Sequence, residues 1–377
     1  MKIIVICGAG YVSGKEKIMF SLLKGFKDKG HEVFCITSSW GNGQFEELMI
    51  SENIRYSKIR LGFISKTFNW KAIVMTLDQL RYLPKMFYDY SRIVSRFKPD
   101  IIIHTNFHHL FLLYPVVKKS IANIYHSHES MPASNFYKKL FRLFDKKVKL
   151  FVGVSDYVTN KIADLGINRS KTKTIHNGLE IIKWAPQPAD PHKAFMIGIA
   201  GQVGRWKGHE DLVLALDILK KNSPSLAFRL TISGNGDPVF IQELKELINA
   251  RHLNEFVEWK GFVKDITEIY NGLQVVCIPS RSEEPFATSA LEAGLFGIPV
   301  IVTKRGGFPE IVKDGQNGFT VPANNPEELA ACLKILIMEP AKALQMGLKH
   351  QEVVSHDFSY QRFISNWENT LTSLVRS

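Results

Sequence analysis

The sequence has 377 residues, 45% hydrophobic and 22% charged, which is typical of a soluble globular protein and long enough for two domains of roughly 100–200 residues. Its four cysteines form no C-x-x-C pair, so we expect a protein of the reducing cytoplasm. No run reaches the roughly 18 apolar residues of a membrane span, and the apolar run at the N-terminus is too short for a signal-peptide core. The net charge of +12 comes from the first half: residues 1–190 hold 29 Lys+Arg against 15 Asp+Glu (+14), and residues 191–377 hold 19 against 21 (−2).

The chain begins with an alternation of strand and helix. The run KIIVICGAG predicts a buried strand that ends in a Gly-rich turn, residues 15–29 have the apolar spacing of an amphipathic helix that Gly30 ends, and residues 32–37 predict a second strand. The loop does not fit a Walker A motif, because Glu16 stands where Ser or Thr should bind magnesium, and its third glycine comes one residue late for a dinucleotide fingerprint. What remains is a loop of small residues that a ligand can approach closely.

Three further apolar runs of strand length follow in the first half, at residues 100–105, 121–128 and 149–155. The composition then changes in residues 181–195, which contain Pro186, Pro188 and Pro191 and predict a domain boundary. We therefore expect an N-terminal domain at 1–185, a C-terminal domain at 192–357 and a final helix at 358–377.

The second half repeats the alternation. Strands are predicted at residues 195–201, 226–236, 256–261, 274–280, 298–303 and 318–322, with helices between them. Residues 341–377 predict helix, interrupted near His356 and Asp357. The fold class is therefore α/β, with two doubly wound, Rossmann-like parallel sheets.

Residues 282–310 combine an acidic pair with several helix and turn breakers. If Pro285 begins a helix, Glu284 lies at its N-terminus and Glu292 about two turns further in. Free N–H groups of a first turn favour an anion such as phosphate, and a neighbouring carboxylate can accept hydrogen bonds from hydroxyls. A diphosphate joined to a polyol is the chemistry of a nucleotide sugar.

Two other segments carry residues suited to that ligand. The loop at 201–213 follows the first strand of the second half and holds Arg205 and Lys207, which can both pair with diphosphate oxygens; a basic surface loop is the alternative. His128 follows a strand of the first half and could act on an acceptor hydroxyl as a base, although a structural loop histidine has the same local sequence. A metal site of His126, His128 and Glu129 fits no common ligand spacing.

The basic excess of the first half has three explanations: nucleic acid, an anionic membrane surface, or a solvated face without a partner. Residues 135–150 predict a basic amphipathic helix with Phe136, Leu140, Phe144 and Val148 on one face, and residues 62–71 hold Phe63, Phe68 and Trp70 beside two lysines. Such segments can lie on an anionic membrane, although an apolar helix face more often packs on its own sheet.

Together these segments resemble the family of retaining, GT-B-fold glycosyltransferases called glycosyl transferases group 1. The resemblance is most specific in EPFATSALEAGLFGIPVIVTKRGGFPEIVKDGQNGF, which is similar to the family's E-x7-E motif, PV strand, GG turn and G-x-x-E-x-V-x-x-G-x-x-G tail in unbroken order. GHEV (30–33), VGVSDYV (152–158) and IHNGLE (175–180) are similar to further family segments.

The resemblance implies an acceptor-binding N-terminal and a nucleotide-sugar-binding C-terminal Rossmann-like domain facing a central cleft, with the final helix crossing back to the N-terminal domain. It also implies a role for each matching residue. Lys207 would hold the donor diphosphate, Glu284 would face the donor sugar, Glu292 would contact the nucleotide ribose, and His128 matches the active-site histidine. Sugar and phosphate binding would also involve Pro285, Phe286, Ala287 and Thr288 beside Glu284, and Ser13 and Gly14 in the first loop. The implied reaction transfers a sugar with retention, without an obligatory metal or other cofactor.

Three positions depart from the family pattern. The family's diphosphate arginine falls on Gln202, so we expect Arg205 to replace it; its Gly-Gly is Ser13-Gly14; and its Asp after Asn-Gly is Glu180. We expect a nucleotide-sugar donor and a glycan or lipid-linked glycan acceptor in cell-surface polysaccharide or glycolipid biosynthesis at the inner membrane face, and no nucleic-acid partner. A nucleotide-sugar epimerase or phosphorylase on the same fold, and a non-enzymatic basic scaffold, are the alternatives; donor-only product analysis and nucleotide titration distinguish them.

Overall fold

The computed structural model describes residues 1–8, 12–62, 78–186 and 192–376. The chain divides into two compact units, the first comprising Met1–Asn177 and Gln361–Ser377 and the second Gly178–Tyr360. Each unit contains one parallel sheet, which confirms the predicted pair of doubly wound, Rossmann-like α/β sheets.

The first unit is built on seven strands in the order β3-β2-β1-β4-β5-β6-β7. The strands are β1 (Lys2–Ile6), β2 (Glu32–Ser38), β3 (Arg55–Ile59), β4 (Ile101–His104), β5 (Ala122–Ser127), β6 (Val148–Gly153) and β7 (Thr172–Thr174). The described helices are α1 (Gly14–Asp28), α2 (Gln44–Ser51), α3 (Leu83–Phe97), α4 (Phe107–Leu113), α5 (Asn135–Asp145) and α6 (Asp156–Asp164), with a 3₁₀ turn at Arg169–Lys171.

The second unit is built on six strands in the order β10-β9-β8-β11-β12-β13. The strands are β8 (Phe195–Ala200), β9 (Phe228–Ser233), β10 (Val257–Gly261), β11 (Val275–Ile278), β12 (Val300–Thr303) and β13 (Gly318–Val321). The helices are α7 (His209–Asn222), α8 (Pro238–Ala250), α9 (Ile266–Tyr270), α10 (Thr288–Leu295), α11 (Phe308–Ile311), α12 (Pro326–Met338) and α13 (Pro340–Asp357), with 3₁₀ turns at Arg205–Lys207 and Asn254–Phe256. The last helix, α14 (Tyr360–Arg376), follows after the predicted interruption near His356.

The central strands are apolar on both faces because helices cover both sides of a doubly wound sheet. Residues 3–6 of β1 and residues 101–103 of β4 are fully buried, as are Val300, Ile301 and Val302 of β12. In the second unit the core joins the strands of the sheet to α7, α8, α12 and α13. The short apolar runs of the sequence therefore become the central strands.

Strand order places the functional loops. β1 lies between β2 and β4, and β8 lies between β9 and β11, so each sheet reverses its winding direction at those pairs. In open α/β sheets, ligands bind beyond the carboxyl ends of the strands at such a reversal. The loops after β8 and β11 carry Lys207 and Glu284, and the loop after β1 carries Ser13.

The predicted helix at 135–150 is wrong at its C-terminal end. Helix α5 ends at Asp145, and Val148 begins β6. Val148 pairs with Asn123 of β5, so the chain has already entered the sheet at that residue. The helix packs on its own sheet, because the ring centroid of Phe141 lies 5.6 Å from that of Tyr125 and 6.0 Å from that of Phe151. Phe136 is 51% exposed, whereas Leu140 and Phe144 are buried.

The second predicted surface segment, 62–71, lies outside the described residues except for Gly62. Across the described ranges, no helix combines the length and the apolar character needed to cross a bilayer.

Candidate functional site

The loop after β8 brings Lys207 to the end of β11. Gly208 has φ +73°, and a Cβ atom there would lie 1.9 Å from the carbonyl oxygen of Pro279. Only glycine combines that backbone angle with so close an approach. The 3₁₀ turn Arg205–Lys207 is thus held directly against the segment that leads from β11 to Glu284.

Lys207 and Glu284 form an ion pair in the second unit. The Lys207 Nζ lies 2.6 Å from Oε1 of Glu284, and the same oxygen accepts a hydrogen bond of 2.8 Å from the Ser280 hydroxyl. The two side chains are 22% and 15% exposed, so both are largely desolvated while remaining reachable. A cation and a carboxylate fixed at the winding reversal can engage the phosphate and the hydroxyl groups of one ligand.

The glycine pair after β12 holds the backbone of Glu284. The Gly307 N–H donates to the Glu284 carbonyl over 2.8 Å, and a Cβ atom on Gly306, whose φ is +59°, would lie 2.2 Å from that carbonyl oxygen. Because this carbonyl is bonded to Gly307, the helix does not begin at Pro285 as predicted. Helix α10 begins at Thr288, and Glu292 lies little more than one turn into it.

The segment between Glu284 and α10 is partly enclosed. Phe286 and Ala287 are buried, and Phe286 packs with its ring centroid 5.6 Å from that of Phe358. Ala287 occupies the N-cap position without a side-chain cap, so the first-turn N–H groups at Thr288 have no capping side chain. Pro285 lies between this buried pair and Glu284.

Glu292 is held by a residue that the sequence analysis missed. The Tyr270 hydroxyl donates to Glu292 Oε2 over 2.8 Å. Burial, together with the adjacent Glu292 charge, raises the pKa of Tyr270 well above its ordinary value, so its hydroxyl stays protonated. No local pattern joins the two residues, since Tyr270 ends a different helix, α9.

Arg205 is engaged by acidic neighbours. Its guanidinium pairs with Glu243, lies 3.5 Å from Glu210 and stands 4.9 Å above the ring of Phe240. Gln202 is exposed on the same loop. The expectation that Arg205 replaces the family arginine at Gln202 stays a prediction, and a ligand would have to draw Arg205 from these partners.

In the first unit, His128 lies against a second histidine. His128 Nε2 is 3.2 Å from His126 Nδ1, and the ring of His126 meets Trp367 edge-on at 4.9 Å. Desolvation and then the Lys15 charge lower the pKa of His126 to about 3. The pKa of His128 is well below its ordinary value because of desolvation, His126 and Lys15. At neutral pH both imidazoles are therefore uncharged.

Ser13 and Gly14 lie at the start of α1. Ser13 and Glu16 form a capping box in which the Ser13 N–H donates to Glu16 Oε2 over 3.1 Å. Between them Lys15 lies 3.5 Å from Glu16 Oε1 and is only 15% exposed. Burial alone would lower the pKa of Lys15, but the neighbouring Cys7, Glu16 and Glu129 have the larger combined effect and raise it. Lys15 is therefore a largely buried cation.

The structure thus joins Lys207 to Glu284, and it places Glu292 on the helix that follows; Ser13, Gly14 and His128 lie in the other unit. The missed neighbours are Ser280, Tyr270 and Lys15. Ser280 ends the predicted strand QVVCIPS and Lys15 adjoins the Ser-Gly pair, so two of the three had a local indication in the sequence.

Two family models match the chain in succession. Residues 12–181 match Glycosyltransferase Family 4, and residues 180–352 match Glycosyl transferases group 1. Together the matches span both units.

Curated relatives align with parts of the chain. Spore coat protein SA of Bacillus subtilis is 26% identical over 239 residues, 58% of this chain and 63% of that protein. The putative colanic acid biosynthesis glycosyltransferase WcaL of Escherichia coli is 26% identical over 257 residues, 65% of this chain and 62% of that protein. The chain thus spans less than two thirds of the length of these relatives.

Solved structures resemble the fold over the whole chain. Anabaena Alr3699/HepE in complex with UDP has 22% identity and a TM-score of 0.82, with 99% of this chain and all of that chain covered. The apo form of the lipopolysaccharide outer core galactosyltransferase WaaB has 18% identity and a TM-score of 0.78, with 99% of each chain covered. The chain is therefore a two-domain α/β protein of the GT-B fold whose first half matches Glycosyltransferase Family 4 and whose second half matches Glycosyl transferases group 1.

Proposed function

We propose that this protein is a glycosyltransferase that moves a sugar from a nucleotide-diphospho-sugar to a glycan or lipid-linked glycan, with retention of the anomeric configuration. The observation that carries the proposal is the Lys207–Glu284 pair at the winding reversal of the second sheet, within residues that match the group 1 model. A carboxylate beside a lysine suits a ligand with hydroxyls next to a diphosphate.

Each matching residue has a chemical task in this proposal. Lys207 neutralises the charge that develops on the leaving diphosphate, and Glu284 accepts hydrogen bonds from the transferred sugar. Glu292 accepts hydrogen bonds from the ribose. In the first unit the neutral imidazole of His128 accepts a hydrogen bond from the acceptor side of the reaction.

The similar proteins support a choice of donor and acceptor to test first. Alr3699/HepE has been solved with UDP and with UDP-glucose, so UDP-sugars are the first donors to test. WcaL is described as a colanic acid biosynthesis enzyme and WaaB as a lipopolysaccharide galactosyltransferase, which favours a cell-surface glycan as the acceptor.

A thermal-shift panel of UDP-, GDP- and ADP-sugars tests the donor. We expect one nucleotide to stabilise the protein by about 2.7 kcal/mol at 100 times its Kd, because the ligand binds the native state alone. The anomeric configuration of the product, determined by NMR with the selected donor, then tests retention. Absence of a shift with every nucleotide sugar contradicts the proposed function, and an inverted product contradicts retention.

We also propose that the first unit contacts an anionic membrane through α5. Lys139 and Arg142 are exposed there, beside the half-exposed Phe136. Each basic residue near an anionic surface contributes about 1 kcal/mol, so reversing both charges (Lys139→Glu with Arg142→Glu) should weaken sedimentation with phosphatidylglycerol vesicles at least tenfold. The matched control reverses the exposed Arg92 and Arg96 of α3. If both double variants lose sedimentation equally, the membrane contact does not lie on α5. If the native protein does not sediment with the vesicles, the proposed membrane contact is rejected.

A further inference from the structure

A buried tyrosine fixes one side of the Glu292 carboxylate. Tyr270 is 1% exposed, and its hydroxyl lies 2.8 Å from Glu292 Oε2 and 3.4 Å from the carbonyl oxygen of Ser289. A hydrogen bond to an ionised acceptor is stronger than one between neutral groups. The hydroxyl therefore restrains where the carboxylate can point.

Aromatic packing in turn fixes the tyrosine. The Tyr270 ring stacks on Phe296 with centroids 5.3 Å apart and an interplanar angle of 25°, and Phe296 meets Trp184 edge-on at 4.8 Å. A ring held on its face by a second ring cannot rotate its hydroxyl away from Glu292 without disturbing this stack. The hydroxyl is thus set by the core of the second unit.

The other carboxylate oxygen remains available for a ligand. Glu292 is half-buried, and within the described part of the chain its Oε1 has no hydrogen-bond partner. A side chain with one oxygen fixed and one oxygen open is pre-organised to accept hydrogen bonds in a single direction.

We propose that Tyr270 is a positioning residue for nucleotide recognition: its hydroxyl binds Oε2 of Glu292 and so orients Oε1 toward the ribose hydroxyls of the donor. The inference rests on the proposed function, because it takes Glu292 as the ribose ligand. It adds a residue that does not touch the donor and contributes through the direction it gives to Glu292.

The variant Tyr270→Phe tests this role, because it removes the hydroxyl and keeps the ring. The probes are UDP and its 2′-deoxy and 3′-deoxy analogues, or the GDP set if the panel selects guanine, with Kd measured by calorimetry. We expect Tyr270→Phe to bind UDP about five- to tenfold more weakly and the analogue that lacks the recognised hydroxyl less than twofold more weakly. A loss of packing alone would weaken all three ligands equally.

Three further variants make the result decisive. Glu292→Gln should lose the same discrimination between UDP and the deoxy analogue, and its combination with Tyr270→Phe should lose little more, since both changes act through one contact. Tyr90→Phe is the matched control, because Tyr90 is equally buried, lies in the first unit, and its hydroxyl has no hydrogen-bond partner among the described residues.

The outcomes separate the two levels of the proposal. Native protein that binds no nucleotide, or binds UDP and both deoxy analogues equally, contradicts the role of Glu292 and with it the basis of the inference. If Tyr270→Phe discriminates between UDP and the deoxy analogues as strongly as the native protein does, the proposed function stands and the role of Tyr270 is overturned. If Tyr270→Phe fails to fold, the discrimination lost in Glu292→Gln, compared with a Phe296→Leu variant that loosens the ring, decides between orientation and packing.

Discussion

Exchange of Lys207 for alanine should lower kcat/KM for sugar transfer by about 10²–10³-fold, the loss typical of removing one electrostatic stabiliser of a developing charge. The ammonium lies 2.6 Å from Glu284 and is 22% exposed, so it acts where water screens it poorly. The same change leaves the Glu284 carboxylate with the Ser280 hydroxyl as its remaining described donor. We therefore also expect about 1–3 kcal/mol of lost stability.

Steady-state kinetics with saturating acceptor, together with denaturant unfolding, measure both effects. Lys221→Ala is the matched control, because Lys221 forms a 2.8 Å ion pair with Asp217 in the same unit. Lys207→Ala combined with Glu284→Gln should be little slower than the slower single variant, because paired residues act as one unit. A Lys207→Ala enzyme within about threefold of the native rate would show that the lysine does not bear on the leaving group.

Arg205→Ala separates the two cations of the loop. If Arg205 replaces the family arginine at Gln202, its removal should weaken nucleotide binding as well as turnover. Unchanged nucleotide binding would also be informative. It would mean that Arg205, held by the carboxylates of Glu243 and Glu210, stabilises the loop and does not contact the ligand. Unchanged nucleotide affinity in Arg205→Ala therefore assigns the diphosphate to Lys207 and backbone amides.

The central strands were predictable because their local pattern and their burial agree. β1 and β12 are short apolar runs that the sheet buries on both faces. β3 was not predicted, because RYSKI has neither an apolar run nor a regular alternation; it lies at the edge of its sheet and has one buried position, Ile59. Helix α5 was predicted too long, since the run KKVK is compatible with helix, and only pairing with β5 makes Val148 begin a strand.

The residues of the candidate site were proposed from local motifs, but their contacts could not be. Glu284, Glu292 and Lys207 were predicted from local motifs, yet the bond between Lys207 and Glu284 joins loops 77 residues apart and exists because β8 and β11 are neighbours. The start of α10 depended on Gly307, which takes the Glu284 carbonyl. Tyr270 could not be predicted at all, because only the fold brings α9 against α10.

Acid should unfold this protein in the range of about pH 4 to 6. Burial lowers the pKa of His104, His209 and His350 to about 4 and that of His109 and His126 to about 3, against an ordinary value of about 6.5. Since these folded-state values lie below the unfolded one, the unfolded chain takes up protons first as the pH falls. The free energy of unfolding is therefore highest above about pH 7 and declines below it.

The size of the effect follows from the same shifts. Each of these histidines contributes a slope of up to about 1.4 kcal/mol per pH unit, and one with a folded pKa near 4 costs about 3 kcal/mol by pH 4. Domains of this kind are stable by about 5–15 kcal/mol, so a few such groups suffice to unfold a unit. Denaturant unfolding at intervals from pH 8 to 5 measures the slope.

One substitution isolates a single histidine in the second unit. His350→Gln replaces a fully buried imidazole on α13, so between pH 6 and 5 the slope should fall by about 1.4 kcal/mol per pH unit. The exposed His356 on the same helix is the matched control for the substitution itself. An unchanged slope in His350→Gln would mean that this imidazole is protonated in the native state. The acid lability would then rest on His209 in the second unit and on His104, His109 and His126 in the first.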